Sequence, residues 1–144
     1  MIEAGLAHAT VFAAIHAESF NGEDRWTAED FTAQLALPGV FGLIEPSGAF
    51  ILMRQAADEA EVLTLAVAPA VRRHGHARAL LVAAHDRLKA SGAVTVFLEV
   101  AAGNVAARTL YDALGYRTVG VRHAYYGPTD AWIMRRDLTA AMPA

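Results

Sequence analysis

The stretch LAVAPAVRRHGHARALL, residues 65–81, constrains the fold of this chain more than any other segment. An apolar strand ends near Pro69, a short basic loop containing Gly75 follows, and a helix begins near His76. Backbone N–H groups in such a loop and at the helix N-terminus converge on one spot, which favours a phosphate or pyrophosphate. Gly75 lets the backbone approach a ligand closely. Three arginines add positive charge to the loop: Arg72, Arg73 and Arg78. The segment therefore predicts a strand–loop–helix unit that binds a phosphorylated cofactor.

The pattern of this loop narrows the choice of cofactor. It contains neither the G-x-x-x-x-G-K-[ST] of a Walker A loop nor the G-x-G-x-x-G of a dinucleotide site. Residues 72–77, RRHGHA, do fit [RQ]-x-x-G-x-[GA]. This pattern resembles the acetyl-coenzyme A pyrophosphate loop of the GNAT superfamily of N-acetyltransferases. On the loop alone, a surface connection with solvated arginines is an equally good interpretation.

Length and composition limit the class of protein. The 144 residues suffice for one domain with a core and are too few for two ordinary ones, so we expect a single domain over residues 1–144. The net charge of −3 disfavours nucleic-acid binding, and the absence of cysteine excludes disulfides and a thiolate nucleophile. No apolar run reaches the ~18 residues of a membrane span, and Glu3 stands where a signal peptide would be basic. We therefore expect a cytoplasmic protein with no membrane partner.

Hydrophobic periodicity and turn residues predict the element order ααβββαβαββ and leave open a short first strand around Ile2. The second helix begins at a capping box formed by Thr27 and Asp30. Strands are predicted at residues 40–44, 49–54, 60–67, 93–100, 117–126 and 131–138, and the later helices at residues 76–91 and 105–114. This order indicates an α/β fold with a mixed central sheet of six to seven strands and helices on both faces.

Helix faces and the placement of histidines follow from the same periodicity. The first helix, residues 7–18, is expected to present one apolar face made of Val11, Ala14 and Ile15. The histidines within helices are expected at the surface: His8, His16 and His85. His74 and His76 bracket Gly75 but have no neighbouring carboxylate or third ligand, so we expect no metal site.

Glu99 and Tyr111 are candidates for acid–base chemistry. Glu99 lies near the end of an otherwise apolar strand, where a carboxylate is either solvated at the sheet edge or partly buried as a general base. Tyr111 lies in the helix that begins after the N-cap Asn104, beside an apolar stripe that includes Ala113 and Leu114. Its hydroxyl either reaches a cleft, where a phenol can protonate a leaving thiolate, or lies in water.

Several spaced motifs resemble the RimI-type N-terminal acetyltransferases of bacteria, which belong to the GNAT superfamily. Residues 98–116 follow L-E-V-x-x-x-N-x-x-A-x-x-L-Y-x-x-x-G-[FY], and RHAYY at 122–126 precedes DAWIM at 130–134. Phe20 and Trp26 are similar to an aromatic segment upstream in that family. The resemblance extends over nearly the whole chain and implies the GNAT fold.

The resemblance also implies roles for individual residues. Glu99 would be the general base and Tyr111 the general acid of acetyl transfer from acetyl-coenzyme A, without a metal. The strand residues Leu65, Ala66 and Val67 would bind the pantetheine arm through their backbone. The pyrophosphate would be held by Arg72, Arg73, His74, Gly75, His76, Ala77 and Arg78, and Asn104 would also contact the cofactor. Because the chain has no cysteine, we expect direct transfer in a ternary complex.

The acceptor stays open at this point. The family acetylates the N-terminal α-amine of a protein, classically a ribosomal protein, whereas a small-molecule amine such as a polyamine or aminoglycoside is an alternative on the same scaffold. A non-catalytic coenzyme A-binding module is a third interpretation, which the presence of both Glu99 and Tyr111 disfavours. The loops over residues 21–27 and 123–130 would form either a peptide groove or a closed pocket. We expect a monomer or a weak dimer.

Overall fold

The structure, a computed structural model, describes residues 1–19, 26–126 and 129–140. These residues contain seven strands and four α-helices. The strands are β1 (Ile2–Ala4), β2 (Val40–Glu45), β3 (Ala49–Ala56), β4 (Glu59–Val67), β5 (Thr95–Ala101), β6 (Arg117–Tyr126) and β7 (Thr129–Asp137). The helices are α1 (Ala9–Ser19), α2 (Ala28–Leu35), α3 (His76–Ala90) and α4 (Val105–Ala113). Single 3-10 turns at Leu6–His8 and Pro69–Val71 precede α1 and follow β4.

The strands form one sheet in the order β1-β2-β3-β4-β5-β7-β6. The pairing of β4 with β5 is parallel, whereas β1–β2, β2–β3, β5–β7 and β6–β7 are antiparallel. The predicted mixed α/β class is therefore confirmed, and the short strand around Ile2 is present. Among the described residues, no helix combines the length and the apolar character needed to cross a membrane.

The chain divides into two compact units, Met1–Arg54 with Leu63–Arg87, and Gln55–Val62 with Leu88–Ala144. The core of the first unit is aromatic. The Phe12 ring lies 5.4 Å from that of Phe31 and 4.5 Å from that of Phe50, and all three residues are buried. Phe12 and Phe31 come from α1 and α2, and Phe50 comes from β3, so this cluster packs two helices on the sheet of the first unit. The prediction of a single domain is not decided by this division and stays a prediction.

The buried face of α1 differs from the predicted one. Ala9, Phe12, Ile15 and His16 are its buried residues, and Val11 is 42% exposed. Phe12 determines which face of α1 is buried, because burying its ring removes more apolar surface from water than burying a valine would. The predicted face was therefore right for Ile15 and wrong for Val11 and Ala14, which are both exposed.

The prediction of surface positions for the helical histidines is wrong for His16 and His85, which are both buried. The Nδ1 atom of His16 accepts a hydrogen bond from the Trp26 backbone N–H at 3.2 Å, which provides a partner for a buried polar atom. His85 lies four residues after Leu81 and three before Leu88, two fully buried residues of α3, so helical spacing turns it to the same face.

The second unit is built around β5. Val96, Leu98 and Val100 are buried and lie on one face of this strand, while Glu99 faces the other. β7 pairs along the whole of β5, and β6 pairs with β7 through two irregular steps, between Thr118 and Gly120 and between Arg122 and Tyr126. The second of these steps shapes the candidate site.

Local signals set the starts of α2 and α4 as predicted, and a glycine follows the end of α4. At the start of α2, Thr27 N–H donates to Asp30 Oδ2 at 2.8 Å, and Asp30 N–H donates to Thr27 Oγ1 at 3.1 Å. At the start of α4, the Asn104 side chain accepts from Ala107 N–H. Gly115 follows α4 with a φ of +90°, a left-handed conformation that glycine adopts at low cost.

Candidate active site

The end of β4 and the loop behind it are tied together in the first unit. The carbonyl oxygen of Val67 accepts hydrogen bonds from Ser19 Oγ at 3.2 Å and from Arg72 Nε at 3.0 Å. Ala66 is buried, and Leu65 and Val67 are half-buried. Arg72 thus folds back on the strand that it follows, and its side chain holds the start of the predicted pyrophosphate loop.

The loop backbone takes two left-handed steps before α3. Arg73 has a φ of +68° and Gly75 a φ of +77°. A Cβ built on Gly75 would have no neighbour within 4 Å, so the backbone angle, not crowding within the chain, favours glycine there. The Ala79 N–H donates to the Gly75 carbonyl at 3.0 Å at the start of the helical ladder. The N–H groups of residues 76–78 precede that ladder, and a helix offers such groups to an anion.

The side chains of the loop fall into two groups. Four of them are exposed, three arginines and one histidine: Arg72, Arg73, Arg78 and His74. His76, in contrast, is half-buried, and its ring lies between two residues of the β2–β3 connection: Nε2 is 3.1 Å from Ser47 Oγ and Nδ1 is 3.5 Å from Glu45 Oε2. The hydroxyl of Ser47 donates to Glu45 and lowers the pKa of that carboxyl. The His76 ring therefore contacts the β2–β3 connection, while its backbone N–H lies at the start of α3.

Glu99 is solvent-facing and ion-paired in the second unit. It lies opposite Ile133 of β7, and Arg122 of β6 lies opposite Ala131 of the same strand. Arg122 Nη2 donates to Glu99 Oε1 at 2.5 Å, so the ion pair spans β7. The Glu99 side chain is 30% exposed and the Arg122 side chain 49%. The carboxylate is thus partly exposed on a strand that pairs on both sides, with a guanidinium beside it, and the general-base role predicted for it stays a prediction.

Asp130 fixes the chain directly after Arg122. Its Oδ1 accepts the Ala124 N–H at 2.8 Å, and its Oδ2 lies 3.5 Å from His123 Nδ1. Ala124 has a φ of +53°, a conformation that is uncommon for a residue with a side chain. The backbone carbonyl of Asp130 accepts the Ala102 N–H at 2.8 Å. One residue thus connects the irregular step of β6 to the loop between β5 and α4.

That loop is held by Asn104 and Arg108. Asn104 Oδ1 accepts the Ala107 N–H at 3.2 Å, which confirms its predicted role as N-cap of α4. Arg108 Nη1 donates to the Ala102 carbonyl at 2.6 Å, and its guanidinium carbon lies 3.9 Å from the centroid of the Trp132 ring. The cofactor contact predicted for Asn104 stays a prediction.

Tyr111 faces the core more than predicted. It is the buried residue of α4, and Leu114 directly after the helix is also buried, whereas Ala113 is exposed. The prediction that Tyr111 lies beside the apolar stripe is therefore wrong, because the ring itself belongs to the stripe. The ring centroids of Tyr111 and Tyr116 are 5.8 Å apart in an edge-to-face arrangement. Burial raises the pKa of Tyr116 far above its ordinary value.

The predicted site residues thus form two sets, the β4 end with its loop in the first unit, and Glu99, Asn104 and Tyr111 on consecutive elements of the second. Sequence reasoning did not single out the contacts of Arg122, Asp130 and Arg108. Predictions for residues 20–25 and 127–128 lie outside the described residues. Among the residues that the structure describes, no three His, Asp or Glu side chains form a group suited to a metal.

Comparison with known proteins identifies the family of this chain. The model of the acetyltransferase (GNAT) family matches residues 14–116. The [ribosomal protein bS18]-alanine N-acetyltransferase of Escherichia coli K12 is 42% identical over 82 residues, which are 57% of this chain and 55% of that protein. The match therefore spans little more than half the length of this curated relative.

One further relative and one solved structure match over most of their length. N-alpha-acetyltransferase RimI of Mycobacterium tuberculosis is 37% identical over 135 residues, covering 87% of this chain and 84% of that protein. The crystal structure of the ribosomal-protein-S18-alanine N-acetyltransferase from Escherichia coli superposes with a TM-score of 0.83 at 29% identity, covering 97% of this chain and 95% of that one. The fold and family predicted from the sequence motifs are confirmed.

Proposed function

Because this chain belongs to the acetyltransferase (GNAT) family, we propose that it transfers the acetyl group of acetyl-coenzyme A to the N-terminal α-amine of a protein. The observation that carries the chemistry is the solvent-facing Glu99 carboxylate on β5, one element before the α4 helix that bears Tyr111. The names of the similar proteins, which refer to alanine of a ribosomal protein and to α-amines, support this acceptor class. A ribosomal protein acceptor and the predicted cytoplasmic location belong to the same proposal.

The first unit supplies the groups that would hold acetyl-coenzyme A. The N–H groups at residues 76–78 and the exposed Arg72, Arg73 and Arg78 fit the charge and the oxygen acceptors of a pyrophosphate. The backbone of residues 65–67 would hold the pantetheine arm. In the second unit, Asn104 would contribute through the part of its side-chain amide that does not cap α4.

In the proposed reaction, Glu99 takes a proton from the acceptor amine, directly or through a water molecule. The amine nitrogen attacks the thioester carbonyl, and a backbone N–H of strand residues 65–67 stabilises the oxyanion. The C–S bond then breaks, and Tyr111 gives its phenolic proton to the coenzyme A thiolate. With no cysteine in the chain, a cysteinyl acetyl-enzyme cannot form, so transfer is direct within a ternary complex.

The proposal is tested by measuring coenzyme A release with Glu99→Gln and Tyr111→Phe. General acid–base groups contribute roughly 10²–10⁴-fold, so we expect a fall of that size for Glu99→Gln and of about 10²-fold for Tyr111→Phe. The chain offers a matched control for each variant. Glu61 is an exposed carboxylate on β4 of the same unit, and Tyr116 is the buried tyrosine beside Tyr111. Glu61→Gln and Tyr116→Phe should retain turnover.

The acceptor is identified with a panel of amines. It contains peptides that begin with Ala, Ser or Met, the same peptides with a blocked N-terminus and one lysine, spermidine and an aminoglycoside. Turnover with a free N-terminus and none with the blocked peptides would support α-acetylation. Turnover with the small amines alone would contradict the proposed acceptor while leaving the acetyltransferase chemistry intact.

A further inference from the structure

The side chain of His76 connects the start of α3 to the turn between β2 and β3. The side chain is 19% exposed, its Nε2 lies 3.1 Å from Ser47 Oγ, and its Nδ1 lies 3.5 Å from Glu45 Oε2. The same turn is bonded to the chain after β4, because the Gly48 carbonyl accepts the Ala68 N–H at 2.8 Å. The first residue of the helix that offers N–H groups to an anion is therefore held through an ionisable ring.

The hydrogen atoms of this cluster determine which form of the ring fits it. The Ser47 hydroxyl donates to Glu45 Oε2, which also accepts the Ser47 N–H at 3.0 Å. The hydroxyl hydrogen is then used, so Ser47 Oγ can only accept a hydrogen from His76 Nε2, while Nδ1 needs a hydrogen to face the carboxylate. A neutral imidazole carries one N–H and loses one of the contacts in either tautomer, whereas an imidazolium makes them all.

Charged groups near the ring act in opposite directions. The hydrogen bonds from Ser47 lower the pKa of Glu45, so this group is a carboxylate near neutral pH and favours a protonated ring. The α-amino group of Met1 also lies close to that carboxylate. The positive end of α3 and the ionisable side chains around it oppose protonation: Arg72, Arg73, His74 and Arg78. An anion bound at the helix start would remove this opposition.

We propose that His76 is a positioning residue whose ring takes up a proton when coenzyme A binds, so that the affinity for acetyl-coenzyme A is linked to pH. The inference rests on the proposed function, because it requires the pyrophosphate to be held at the N–H groups of residues 76–78. In the bound state, the imidazolium keeps the first turn of α3 in contact with Glu45 and Ser47 while the anion occupies those N–H groups.

Binding and protonation reinforce each other for an electrostatic reason. The ring belongs to the residue whose backbone N–H meets the anion, so the negative charge of the ligand stabilises the imidazolium. By linkage, the imidazolium strengthens anion binding by the same factor. This added affinity is present at low pH and is lost as the pH rises above the histidine range, around an ordinary pKa of about 6.5. The acceptor amine shows the opposite trend, since its neutral fraction grows with pH.

The experiment measures coenzyme A binding to the full chain by titration calorimetry at about pH 7 in two buffers that differ in ionisation enthalpy, Pipes and imidazole. The difference between the observed enthalpies gives the number of protons taken up. A histidine ring with its ordinary pKa is about one quarter protonated at this pH, so a three- to tenfold gain in proton affinity corresponds to roughly 0.3–0.5 proton. We expect the unaltered chain to exceed His76→Gln by this amount. Proton exchange by the 3′-phosphate of coenzyme A is common to both chains and cancels in the difference.

The pH profile of the affinity gives a second reading of the same linkage. Between about pH 6 and pH 8.5, the Kd for coenzyme A should rise about three- to sevenfold more in the unaltered chain than in His76→Gln. A purely structural role of the ring would weaken binding in His76→Gln by one factor at every pH. Parallel pH profiles of the two chains would therefore overturn the proposal.

His74→Gln is the matched control, because His74 is an exposed histidine of the same loop with its ring centroid 6.0 Å from that of His76. It should keep the extra proton uptake, whatever its effect on affinity. Glu45→Gln leaves the ring in place and removes its carboxylate partner, so it should reduce the uptake. Loss of the extra uptake in His74→Gln, or full uptake in His76→Gln, would overturn the proposal. If His76→Gln does not fold, as judged by circular dichroism, an unchanged uptake in Glu45→Gln would overturn it.

The outcomes separate this inference from the proposed function. Absence of coenzyme A binding in the unaltered chain would overturn both. Binding with the same proton uptake in the unaltered chain and in His76→Gln would overturn the inference alone. Binding with an uptake that depends on His76, in a chain that transfers acetyl groups to none of the amines, would support the inference and overturn the function.

Discussion

The close approach of Gly42 to Phe12 gives a prediction whose size follows from distances. A Cβ added to Gly42 would lie 2.8 Å from Cζ and 3.1 Å from Cε2 of Phe12, and 3.4 Å from Cβ of Ala4. Phe12 cannot turn away freely, because it is fully buried and its ring packs against Phe31 and Phe50. The methyl group must therefore displace the aromatic cluster or β2. We expect Gly42→Ala to lower the free energy of unfolding by about 1–3 kcal/mol, the usual size of overpacking in a core.

Urea denaturation followed by circular dichroism measures this loss, and a thermal scan should show a fall in Tm of about 3–10 °C for a chain of this length. Gly120→Ala is the control, because the nearest atom to its Cβ would be Ile133 Cδ1 at an ordinary 3.5 Å. It should change stability by less than about 0.5 kcal/mol. Combining Gly42→Ala with Phe12→Leu, which removes the crowded ring atoms, should cost less than the sum of the single changes. A Gly42→Ala chain as stable as the unaltered one would refute the reasoning.

Three further predictions concern stability and use the same denaturation assay. Ala124→Gly should raise the free energy of unfolding by about 0.5–1 kcal/mol because the φ of +53° is costly for alanine. Ala113→Gly, at an exposed position of α4, should lower the free energy of unfolding by a similar amount. Changes of the same sign in the two variants would contradict this account. Thr27→Ala should cost about 1 kcal/mol through loss of the α2 cap, and Thr32→Ala on the same helix should cost clearly less. Burial raises the pKa of Tyr116, which means that the folded state favours the neutral phenol. The stability that this preference contributes is complete below the ordinary tyrosine pKa of about 10 and is lost as the pH rises above it. Stability should therefore fall between about pH 9 and 11 less steeply in Tyr116→Phe than in the unaltered chain, and identical slopes would show that this tyrosine is not the cause.

Backbone conformation at the helix ends was predicted correctly where it depends on only a few residues adjacent in the sequence. The capping box of Thr27 and Asp30 and the N-cap at Asn104 are present as predicted, and Gly115 adopts a left-handed conformation after the end of α4. These features are set by hydrogen bonds within one turn of chain, so the residues that decide them are adjacent in the sequence.

Side-chain environments were predicted less well, because they depend on packing between distant segments. Val11 was expected in the core and is exposed, while His16 and His85 were expected at the surface and are buried. In α1 the buried face is set by Phe12, whose ring packs against two other rings that are 19 and 38 residues away in the sequence. A histidine is placed in the interior when a partner for its ring nitrogen exists, and for His16 that partner is the Trp26 backbone.

The sequence by itself determined the order of the elements and the family, because both are encoded in contiguous motifs. Only the tertiary structure decided that Glu99 is paired with Arg122. That contact joins residues 23 positions apart across an intervening strand, and its geometry depends on the register of β5, β7 and β6. Register follows from the irregular step after Arg122 and from the Asp130 contact that holds it, neither of which alternation of polar and apolar residues reveals.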